Sequence, residues 1–343
     1  MLRTAVIGCG RIAQNRHLPE YAQQRGSVLL GVYDRTPERA WETARRWGVR
    51  AYDSLEELLS DPWVDALSLC TANLDHAPTA IRALRAGKHV LCEKPMALTW
   101  EDCRELLKAQ GESGRRLMIA QNQRLQPEHL TARQLLREGA IGRVLSFRSI
   151  FAHSGPDTWT PAERNWFFRQ DAAGLGALGD LGVHKVDLIR FLLGQEVHSV
   201  SAVLGTLDKR LPDGQSIPVE DNALCLLEMT GGALGSVSAS WTCYGSQEGS
   251  TVLYGTKGVL RLCEDPAHPL VLERLDGERI FPDFPARGDS GVVEEFLSAI
   301  RENRPSPLDA EDVSRSMQAV FAAMQAAKEG RTVLLPQPPA PFF

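Results

Sequence analysis

A glycine-rich segment near the N-terminus constrains the fold of this chain more than any other feature. Gly8-Cys9-Gly10-Arg11-Ile12-Ala13 follows the short apolar run Thr4–Ile7 and precedes a stretch with helical periodicity. In such a turn the first glycine permits the tight bend, the second lets the backbone approach a pyrophosphate, and a small last residue lets helix and strand pack closely. The helix that follows offers free N–H groups and the positive end of its dipole. The segment predicts a Rossmann-type unit whose dinucleotide contacts Gly8, Gly10, Arg11 and Ile12.

An acidic residue ends the second predicted strand. Asp34 directly follows Leu29–Tyr33, which is where an acidic side chain binds the adenosine ribose hydroxyls of NAD. Arg35 leaves NADP open as a second cofactor, because an arginine at this place can accept a 2′-phosphate. We predict NAD, since the Asp34 carboxylate would repel that phosphate. The alternative interpretation is that Asp34 only caps the helix that begins after Thr36.

The spacing of apolar runs predicts two different sheets. In the first third, short apolar runs alternate with amphipathic stretches, which is the pattern of a parallel sheet covered by helices. After Val144, strand-like segments are separated by turn residues, which favours an antiparallel sheet. The clearest predicted elements are strands at Ala66–Cys70, His89–Cys92, Val144–Phe151 and Val197–Gly205, and helices at Ile12–Arg25, Pro37–Trp47, Trp100–Glu112 and Leu178–Leu193.

The length of 343 residues suffices for two domains of roughly 100–200 residues each. We therefore predict an α/β chain with a Rossmann NAD(P)-binding domain at residues 1–120. A second α/β domain at residues 121–343 is expected to hold a large, open, mainly antiparallel sheet and to serve substrate binding and oligomerisation.

Composition and charge exclude several classes of protein. The net charge of -5 arises from 43 acidic and 38 basic residues without a basic patch, so we expect no nucleic-acid partner. No apolar stretch reaches about 18 residues, and the N-terminus lacks the features of a signal peptide. We therefore expect no membrane span and a cytoplasmic protein. The seven cysteines occur singly, without a CxxC pair, which predicts neither disulfides nor a zinc site and fits a reducing compartment.

Five separated segments are more specific together than any of them is alone. They are Gly8–Ala13, Thr71–His76, Gly87–Pro95, Gly179–Asp187 and Val219–Ala223. In this order they resemble the glucose–fructose oxidoreductase, inositol dehydrogenase and MocA family, and the resemblance covers nearly the whole chain. One departure is Ala72, where the family commonly has proline.

The resemblance implies an NAD(P)-dependent dehydrogenase or reductase. Such enzymes transfer a hydride between the nicotinamide and a secondary alcohol or carbonyl of a sugar, an inositol-like cyclic polyol or a sugar derivative. The family's catalytic lysine, aspartate and histidine correspond to Lys94, Asp180 and His184. The resemblance also implies metal-free chemistry and a homodimer or homotetramer formed through the sheet of the second domain.

These three residues also make chemical sense by their type and spacing. Asp180 and His184 are four residues apart, which places them on one face of a helix. A histidine, with a usual pKa of about 6.5, can accept a hydroxyl proton near neutral pH, and Asp180 can orient it or bind a substrate hydroxyl. Lys94 follows a predicted strand and can stabilise negative charge on the reacting oxygen. Without the resemblance, Asp180 and His184 could equally well only support the helix. We also hypothesise a cis peptide bond between Lys94 and Pro95.

Other polar residues are expected to complete the site. Near the nicotinamide ribose and the diphosphate we place Thr71, Asn73, His76, Glu93, Lys94 and Asn122. His76 could alternatively be only a helix-start residue. Besides the three catalytic residues, the substrate is expected to contact Arg124, His153 and Trp166.

The loop after Val144–Phe151 mixes ring and polar side chains, namely Asp157, Trp159, Arg164, Asn165, Trp166 and Arg169. Such a mixture suits a sugar, which has hydroxyls and an apolar C–H face. The tryptophans could equally well only anchor the loop to the core.

No metal is expected. Asp180, His184 and Asp187 are residue types that bind metals, but the resemblance implies metal-free chemistry, and Asp187 fits a structural role better. The segment Cys263–His268 also contains such types, yet it is turn-like and too poor in partners to carry a site.

Two alternative functions stay open. One is a non-catalytic dinucleotide-binding sensor on the same scaffold, and the other is a dihydrodiol-type dehydrogenase. The complete set of Lys94, Asp180 and His184 argues against the sensor, because a sensor does not need all three residues.

Overall fold

The structure is a computed structural model that describes residues 1–160 and 165–336. The chain divides into two compact units. The first comprises Met1–Leu125 and Arg287–Ser314, and the second comprises Gln126–Ala286 and the chain from Arg315 onward. The segment Arg287–Ser314 thus belongs to the N-terminal unit, whereas the sequence analysis assigned all of residues 121–343 to the second domain.

Strands and helices alternate through the first unit and separate into longer runs in the second. The strands are β1 Leu2–Ile7, β2 Ser27–Tyr33, β3 Arg50–Ala51, β4 Ala66–Leu69, β5 His89–Cys92, β6 Leu117–Ile119, β7 Val144–Ala152, β8 Val197–Gly205, β9 Asn222–Met229, β10 Leu234–Ser240, β11 Thr251–Gly255, β12 Gly258–Asp265, β13 His268–Arg274, β14 Arg279–Ile280 and β15 Val333–Leu334. The helices are α1 Leu18–Gln23, α2 Pro37–Trp47, α3 Leu55–Ser60, α4 His76–Arg85, α5 Trp100–Ser113, α6 Pro127–Arg137, α7 Gln170–Ala173, α8 Val183–Leu193, α9 Val292–Glu302 and α10 Ala310–Glu329. None of the helices within the described ranges is long and apolar enough to cross a membrane.

The first unit is built on a six-stranded parallel sheet. Its strands lie in the order β3-β2-β1-β4-β5-β6, and every neighbouring pair is parallel. The strand order reverses between β1 and β4, and in open sheets of this kind ligands bind outside the carboxyl ends of the strands at such a reversal. This arrangement confirms the predicted Rossmann fold and places the glycine-rich turn at the binding edge.

Local sequence signals explain where two of these helices begin. α2 starts behind Thr36 with Pro37 in its first turn and ends at Gly48, which has φ 66°. Proline at the start and glycine just past the end are the usual helix boundaries, and the predicted bounds of this helix are confirmed. α3 begins behind Ser54, whose hydroxyl accepts a hydrogen bond of 3.1 Å from the backbone N–H of Glu57. This capping signal was available in the sequence, although the short helix was not predicted.

The second unit contains a nine-stranded sheet in the order β14-β13-β12-β11-β7-β10-β9-β8-β15. Neighbouring strands are antiparallel, except β7 and β10, which are parallel. The prediction of a mainly antiparallel sheet is confirmed. The edge strands β14 and β15 were not predicted, because two residues carry no periodic signal and become strands only by pairing.

The two faces of the second sheet differ in their cover. α8 packs on β7, and α6 packs on β12 and β13. Side chains alternate along β9, where Ala223, Cys225 and Leu227 are buried while Leu224 and Leu226 are exposed. The sheet therefore presents part of its apolar surface to solvent.

Two predicted helices open with a wider, π-helical turn. The helix predicted at Ile12–Arg25 begins with the π-helical turn Ala13–His17 and continues as α1. The helix predicted at Leu178–Leu193 begins with the π-helical turn Leu178–Gly182 and continues as α8. π-helical turns are often found at functional sites, and both of these lie in segments that carry candidate site residues.

Candidate active site

The glycine-rich turn lies at the carboxyl end of β1. Gly8 has φ +89°, and a Cβ there would lie 2.5 Å from the carbonyl oxygen of Cys70, so only glycine fits. At Gly10, by contrast, no heavy atom of the described chain beyond its immediate neighbours lies within 4 Å of the place that a Cβ would take. The carbonyl of Gly10 accepts a hydrogen bond of 3.0 Å from the backbone N–H of Gln14, which starts the helical turn that follows. The turn is therefore packed tightly at Gly8 and open at Gly10.

The carboxylate of Asp34 is joined to this turn. One of its oxygens accepts a hydrogen bond of 2.8 Å from the backbone N–H of Cys9, and the other accepts one of 2.8 Å from the N–H of Thr36. The guanidinium of Arg39 lies 3.3 Å away. The hydrogen bond from Thr36 is the contact expected if Asp34 caps the start of α2. The hydrogen bond from Cys9 also fixes the glycine-rich turn.

An open pocket beside the turn has a basic lining. Two other predicted cofactor residues are not part of its lining. Ile12 lies directly before the first π-helical turn. The side chain of Arg35 extends into solvent, 3.9 Å from the Asp75 carboxylate. Three arginines and one glutamate in the lining suit the negative phosphates of a dinucleotide. The lining residues are Cys9, Gly10, Arg11, Gln14, Arg39, Glu42, Thr43 and Arg46.

Three candidate cofactor residues follow β4. Asn73 is buried in a short 3-10 turn, and His76 begins α4. The ring nitrogens of His76 lie 2.7 Å from the carbonyl oxygen of Pro95 and 3.2 Å from that of Thr71. Burial lowers the pKa of His76, so the neutral ring donates its one proton to the nearer carbonyl. The hydroxyl of Thr71 is buried and has no hydrogen-bond partner among the described residues, which is expected of a group that binds a ligand.

The segment that carries Lys94 follows β5. The peptide bond between Lys94 and Pro95 is cis, as hypothesised. Glu93 is buried, and its carboxylate lies 2.9 Å from Nε2 of His17 and 3.4 Å from the guanidinium of Arg16. Burial by itself raises the pKa of Glu93, but the hydrogen bond from His17 and the charge of Arg16 outweigh it and hold the pKa well below its usual range. The backbone N–H of Lys94 donates to the same carboxylate at 3.3 Å, so Glu93 fixes the backbone next to the candidate catalytic lysine.

A buried chain of polar side chains extends from Glu93 to α1. Nδ1 of His17 lies 3.1 Å from the hydroxyl of Ser68, and the hydroxyl of Tyr21 lies 2.8 Å from that same oxygen. The chain links the helix behind the glycine-rich turn with β4 and β5. His17 was not among the predicted site residues, although its place on the helix that follows the glycine-rich turn indicates that it lies near the site.

The residues that follow β6 differ in their surroundings. Arg124 is buried and donates hydrogen bonds of 2.7 Å to the carbonyl of Pro307 and 2.5 Å to the carboxylate of Asp312. Its guanidinium therefore holds a late segment of the first unit. Asn122 is half-buried. Gln121, which the sequence analysis did not select, is buried with no hydrogen-bond partner for its amide in the described part of the chain.

In the second unit, Asp180 and His184 lie in one helical segment. Asp180 belongs to the second π-helical turn and His184 to the first turn of α8, and both side chains are buried. The indole N–H of Trp241 donates a hydrogen bond of 3.1 Å to the Asp180 carboxylate. The ring of His184 lies 6.0 Å from that of Phe151, measured between centroids. Trp241 follows β10 and was missed by the sequence analysis, because its contact with Asp180 spans 61 positions of the chain.

The motif Val219–Ala223 supports the start of this helical segment. The Glu220 carboxylate accepts hydrogen bonds from the N–H groups of Gly176 at 2.8 Å and Leu178 at 3.0 Å. Burial raises the pKa of Glu220. The carboxylate of Asp221 accepts three hydrogen bonds of 2.8 Å from the backbone N–H groups of Leu207, Asp208 and Lys209.

Two further polar residues of α8 have structural contacts. Asp187 accepts a hydrogen bond of 2.7 Å from Ser316, whose hydroxyl in turn accepts one of 2.7 Å from Arg190. These contacts agree with the structural role expected for Asp187. Lys185 is buried, and its ammonium donates a hydrogen bond of 2.6 Å to the carbonyl of Gly249. Burial lowers the pKa of Lys185 to about 8.

His153 lies at the end of β7 in aromatic surroundings. Its Nδ1 accepts a hydrogen bond of 2.9 Å from the backbone N–H of Gly155. The ring packs edge-on against Phe151 and Trp159, with centroid distances of 6.2 Å and 5.2 Å. Since Phe151 also lies beside His184, the two histidines flank one phenylalanine.

Trp166 lies in a second aromatic group. Its ring stacks on Phe167 with a centroid distance of 3.9 Å, and Phe167 lies 6.3 Å from Trp241. This group connects the loop with the residue that holds Asp180. Arg164, another residue of the predicted loop, lies outside the described residues.

Known proteins match both units. Residues 2–121 match the profile of the oxidoreductase family with an NAD-binding Rossmann fold. Residues 129–261 match the GFO/IDH/MocA C-terminal domain.

Individual relatives resemble the chain at moderate identity. Levoglucosan dehydrogenase of Pseudarthrobacter phenanthrenivorans is 34% identical over 247 residues. This match covers 66% of this chain and 63% of the relative, which is less than two thirds of the relative's length. The 1,5-anhydro-D-fructose reductase of Ensifer adhaerens is 30% identical, with 96% of this chain and 98% of the relative covered. The solved structure of levoglucosan dehydrogenase with NADH and levoglucosan superimposes with a TM-score of 0.88 at 27% identity, covering 98% of this chain and all of that one.

Proposed function

Because this chain belongs to the Gfo/Idh/MocA family of NAD-binding oxidoreductases, we propose that it transfers a hydride between NAD and a secondary alcohol or carbonyl of a sugar, a cyclic polyol or a sugar derivative. The observation that carries the proposal is the buried pair of Asp180 and His184 at the start of one helical segment, with Asp180 held by Trp241. The carbohydrate names of the relatives support the substrate class.

The catalytic roles are assigned by side-chain chemistry. When an alcohol is oxidised, His184 accepts the hydroxyl proton of the reacting carbon, and it returns a proton in the opposite direction. Asp180 orients the imidazole or holds a neighbouring hydroxyl. Lys94 donates a hydrogen bond to the reacting oxygen and stabilises the negative charge that develops there. The bound nicotinamide supplies the hydride acceptor or donor.

The first unit is proposed to bind the cofactor. Gly8, Gly10, Arg11 and Ile12 hold the pyrophosphate at the open face of the turn. The hydroxyl of Thr71, which has no hydrogen-bond partner within residues 1–160 and 165–336, supports a ligand at the end of β4. Asn73, Asn122 and Glu93 line or support the nicotinamide end, and His76 acts through its hydrogen bond to the carbonyl of Pro95. Asp34 selects NAD over NADP, because its carboxylate repels a 2′-phosphate.

The second unit is proposed to recognise the substrate. His153 supplies a polar group beside the ring that also neighbours His184, and Trp166 offers an aromatic surface for the C–H face of a sugar. Arg124 contributes by fixing the chain next to Asn122. Its guanidinium donates hydrogen bonds to the carbonyl of Pro307 and to the carboxylate of Asp312.

The exposed apolar face of the second sheet is proposed to form a homodimer or homotetramer. Val203 on β8 is paired with Leu224 on β9. The side chains of Val203, Leu224 and Leu226 are 73%, 52% and 59% exposed. A contiguous apolar patch of this kind is usually covered by a partner, and identical chains cover it most simply by two-fold symmetry. Leu224→Glu should lower the molar mass measured by sedimentation, and an unchanged mass would contradict this interface.

We further propose a cytoplasmic location. All seven cysteines are free, as is usual for proteins of reducing compartments.

An assay of reduced nicotinamide tests the proposed function. NAD and NADP are offered with inositols, levoglucosan, 1,5-anhydrosugars and aldoses. We expect turnover that falls at least about 100-fold in Lys94→Ala and is unchanged in Lys108→Ala, a lysine exposed on α5. Tight NADH binding with no turnover on any substrate would instead support the sensor function.

A further inference from the structure

Three side chains outside the proposed active site meet between α6 and β12. Glu128 and His129 lie in the first turn of α6, and Cys263 lies near the end of β12. Sγ of Cys263 is 3.9 Å from Nε2 of His129 and 4.0 Å from Oε1 of Glu128. The three donor atoms all lie within 4.8 Å of one another. His129 is buried, and the other two residues are half-buried, so the cluster is shielded but can be reached.

The backbone at Cys263 is unusual. Its φ is 55°, a left-handed value that a residue with a side chain rarely adopts. The pairing of β12 with β13 shifts register between Leu262 and Asp265, which places Cys263 in a β-bulge. Bulges redirect side chains, and backbone outliers tend to cluster at functional sites. Here the bulge brings the thiol to the two side chains of α6.

The charges of the cluster suit a divalent cation. The Glu128 carboxylate and a deprotonated Cys263 would supply two negative charges, and His129 a neutral nitrogen. Burial and the charge of Glu128 raise the pKa of Cys263 to about 11, partly offset by the charge of Lys185. A metal that binds Cys263 displaces the thiol proton, as is usual for thiolate ligands. Lys185 is engaged by the carbonyl of Gly249, and the two anionic ligands would balance the added cation beside it.

We propose that Glu128, His129 and Cys263 form a binding site for a divalent cation of the zinc class, with one carboxylate, one imidazole and one thiolate as ligands. Zinc lies about 2.3 Å from sulfur and about 2.0–2.2 Å from nitrogen or oxygen, so its tetrahedral ligands are about 3.6 Å apart. The distances of 3.9 Å and 4.0 Å from Sγ need to shorten by only a few tenths of an ångström. The Glu128 carboxylate and the His129 ring, which lie within 4.8 Å of each other, also have to approach by rotation of their side chains. The bound ion fastens α6 to the bulge of β12.

This site runs against the expectation from the sequence. The segment Cys263–His268 was predicted to have too few metal-binding partners. The two residues that complete the cluster, Glu128 and His129, lie on α6 and are distant from Cys263 in the sequence. The contact between Cys263 and His129 spans 134 positions of the chain. The proposed site is independent of hydride transfer, so neither proposal depends on the other.

Cobalt(II) is the probe that tests the site, because its thiolate complexes absorb in the near ultraviolet and its tetrahedral complexes in the visible. The full-length protein, kept reduced, is titrated with cobalt(II) and then with zinc(II). We expect one cobalt(II) per chain, a thiolate charge-transfer band and its displacement by zinc(II). Cys263→Ser should lose the band and bind cobalt(II) at least about tenfold more weakly. Cys243→Ser removes another half-buried cysteine and should behave like the unaltered protein.

A second variant and a second readout guard against misfolding. Glu128→Gln keeps the shape of a half-buried side chain and should weaken cobalt(II) binding while circular dichroism stays unchanged. Zinc(II) should raise the Tm of the unaltered protein and of Cys243→Ser, but not that of Cys263→Ser. Absence of a thiolate band from the unaltered protein, or a cobalt(II) affinity in Glu128→Gln and Cys263→Ser equal to that of the unaltered protein, would overturn the proposal.

Discussion

The indole nitrogen of Trp241 donates a hydrogen bond of 3.1 Å to the carboxylate of Asp180, and the tryptophan is fully buried. Trp241 also packs against Phe167 and Phe168, with centroid distances of 6.3 Å and 6.1 Å. The orientation of a proposed catalytic carboxylate therefore depends on a buried side chain that directly follows β10.

Replacing Trp241 with phenylalanine should reduce activity while NAD binding stays unchanged. The variant removes a hydrogen bond to a charged group, which is worth about 1.5–3 kcal/mol, so kcat/KM should fall at least about tenfold. Steady-state kinetics measures the effect, with a substrate identified in the assay of inositols, levoglucosan, 1,5-anhydrosugars and aldoses. Trp63→Phe, at an exposed site of the first unit, is the control and should leave kcat/KM unchanged. Equal kcat/KM in both variants would show that Trp241 does not position Asp180.

The two glycines of the turn should respond differently to alanine. At Gly10 a Cβ meets no atom within 4 Å from the rest of the described chain, so Gly10→Ala should keep its Tm. The added methyl group would occupy space proposed for the pyrophosphate, and Kd for NADH should rise at least about tenfold. At Gly8 the Cβ would meet the Cys70 carbonyl at 2.5 Å in a left-handed backbone, so Gly8→Ala should also lower stability, by about 1–3 kcal/mol. Fluorescence titration measures NADH binding, and thermal unfolding measures stability. Unchanged NADH binding by Gly10→Ala would argue against a pyrophosphate site at the glycine-rich turn.

Asp34→Asn should shift cofactor preference toward NADP. The substitution removes the negative charge that repels a 2′-phosphate and weakens the 3.3 Å ion pair that engages Arg39. The ratio of kcat/KM for NAD to that for NADP should fall at least about tenfold, equivalent to about 1.4 kcal/mol. Glu38→Gln makes the same change of charge at an exposed position of α2 and should leave the ratio unchanged. A ratio that stays constant in Asp34→Asn would place cofactor selection elsewhere.

The buried contact between Glu93 and His17 should make the free energy of unfolding depend on pH in the acid range. The folded state holds the pKa of Glu93 below its usual value, so this contribution is present above the unfolded pKa of about 4.3 and is lost as pH falls through the folded pKa. Between about pH 6 and pH 3, the free energy of unfolding should decrease less steeply for Glu93→Gln than for the unaltered protein. At pH 7, His17→Ala should lower the free energy of unfolding by about 1–3 kcal/mol, because the buried carboxylate loses its shortest hydrogen bond and keeps only the longer contacts with Arg16 and the Lys94 N–H. Urea unfolding across this range measures both effects, and parallel pH profiles would refute the assignment.

Local patterns in the sequence determined most of the elements of the first unit, though not β3 or α3, and they identified the family. The glycine-rich turn, the bounds of α2 and the strand at His89–Cys92 all follow from residues within a few positions of one another. Backbone hydrogen bonds in helices and turns are short-range, so the residue types that favour or end them can be recognised along the chain. The five ordered segments identified the family for the same reason, since each is a local motif.

Only the tertiary structure decided which side chains meet. Trp241 reaches Asp180 across 61 positions, Glu93 reaches His17 across 76, and Cys263 reaches His129 across 134. The edge strands β14 and β15 exist only through pairing with a neighbour, and Arg287–Ser314 packs in the first unit although it is late in the chain. The physical reason is that burial and strand pairing bring together residues whose spacing in the sequence carries no periodic signal. Residue type and local pattern predict which chemistry a side chain can perform, whereas its partners are determined by how the sheets and helices pack.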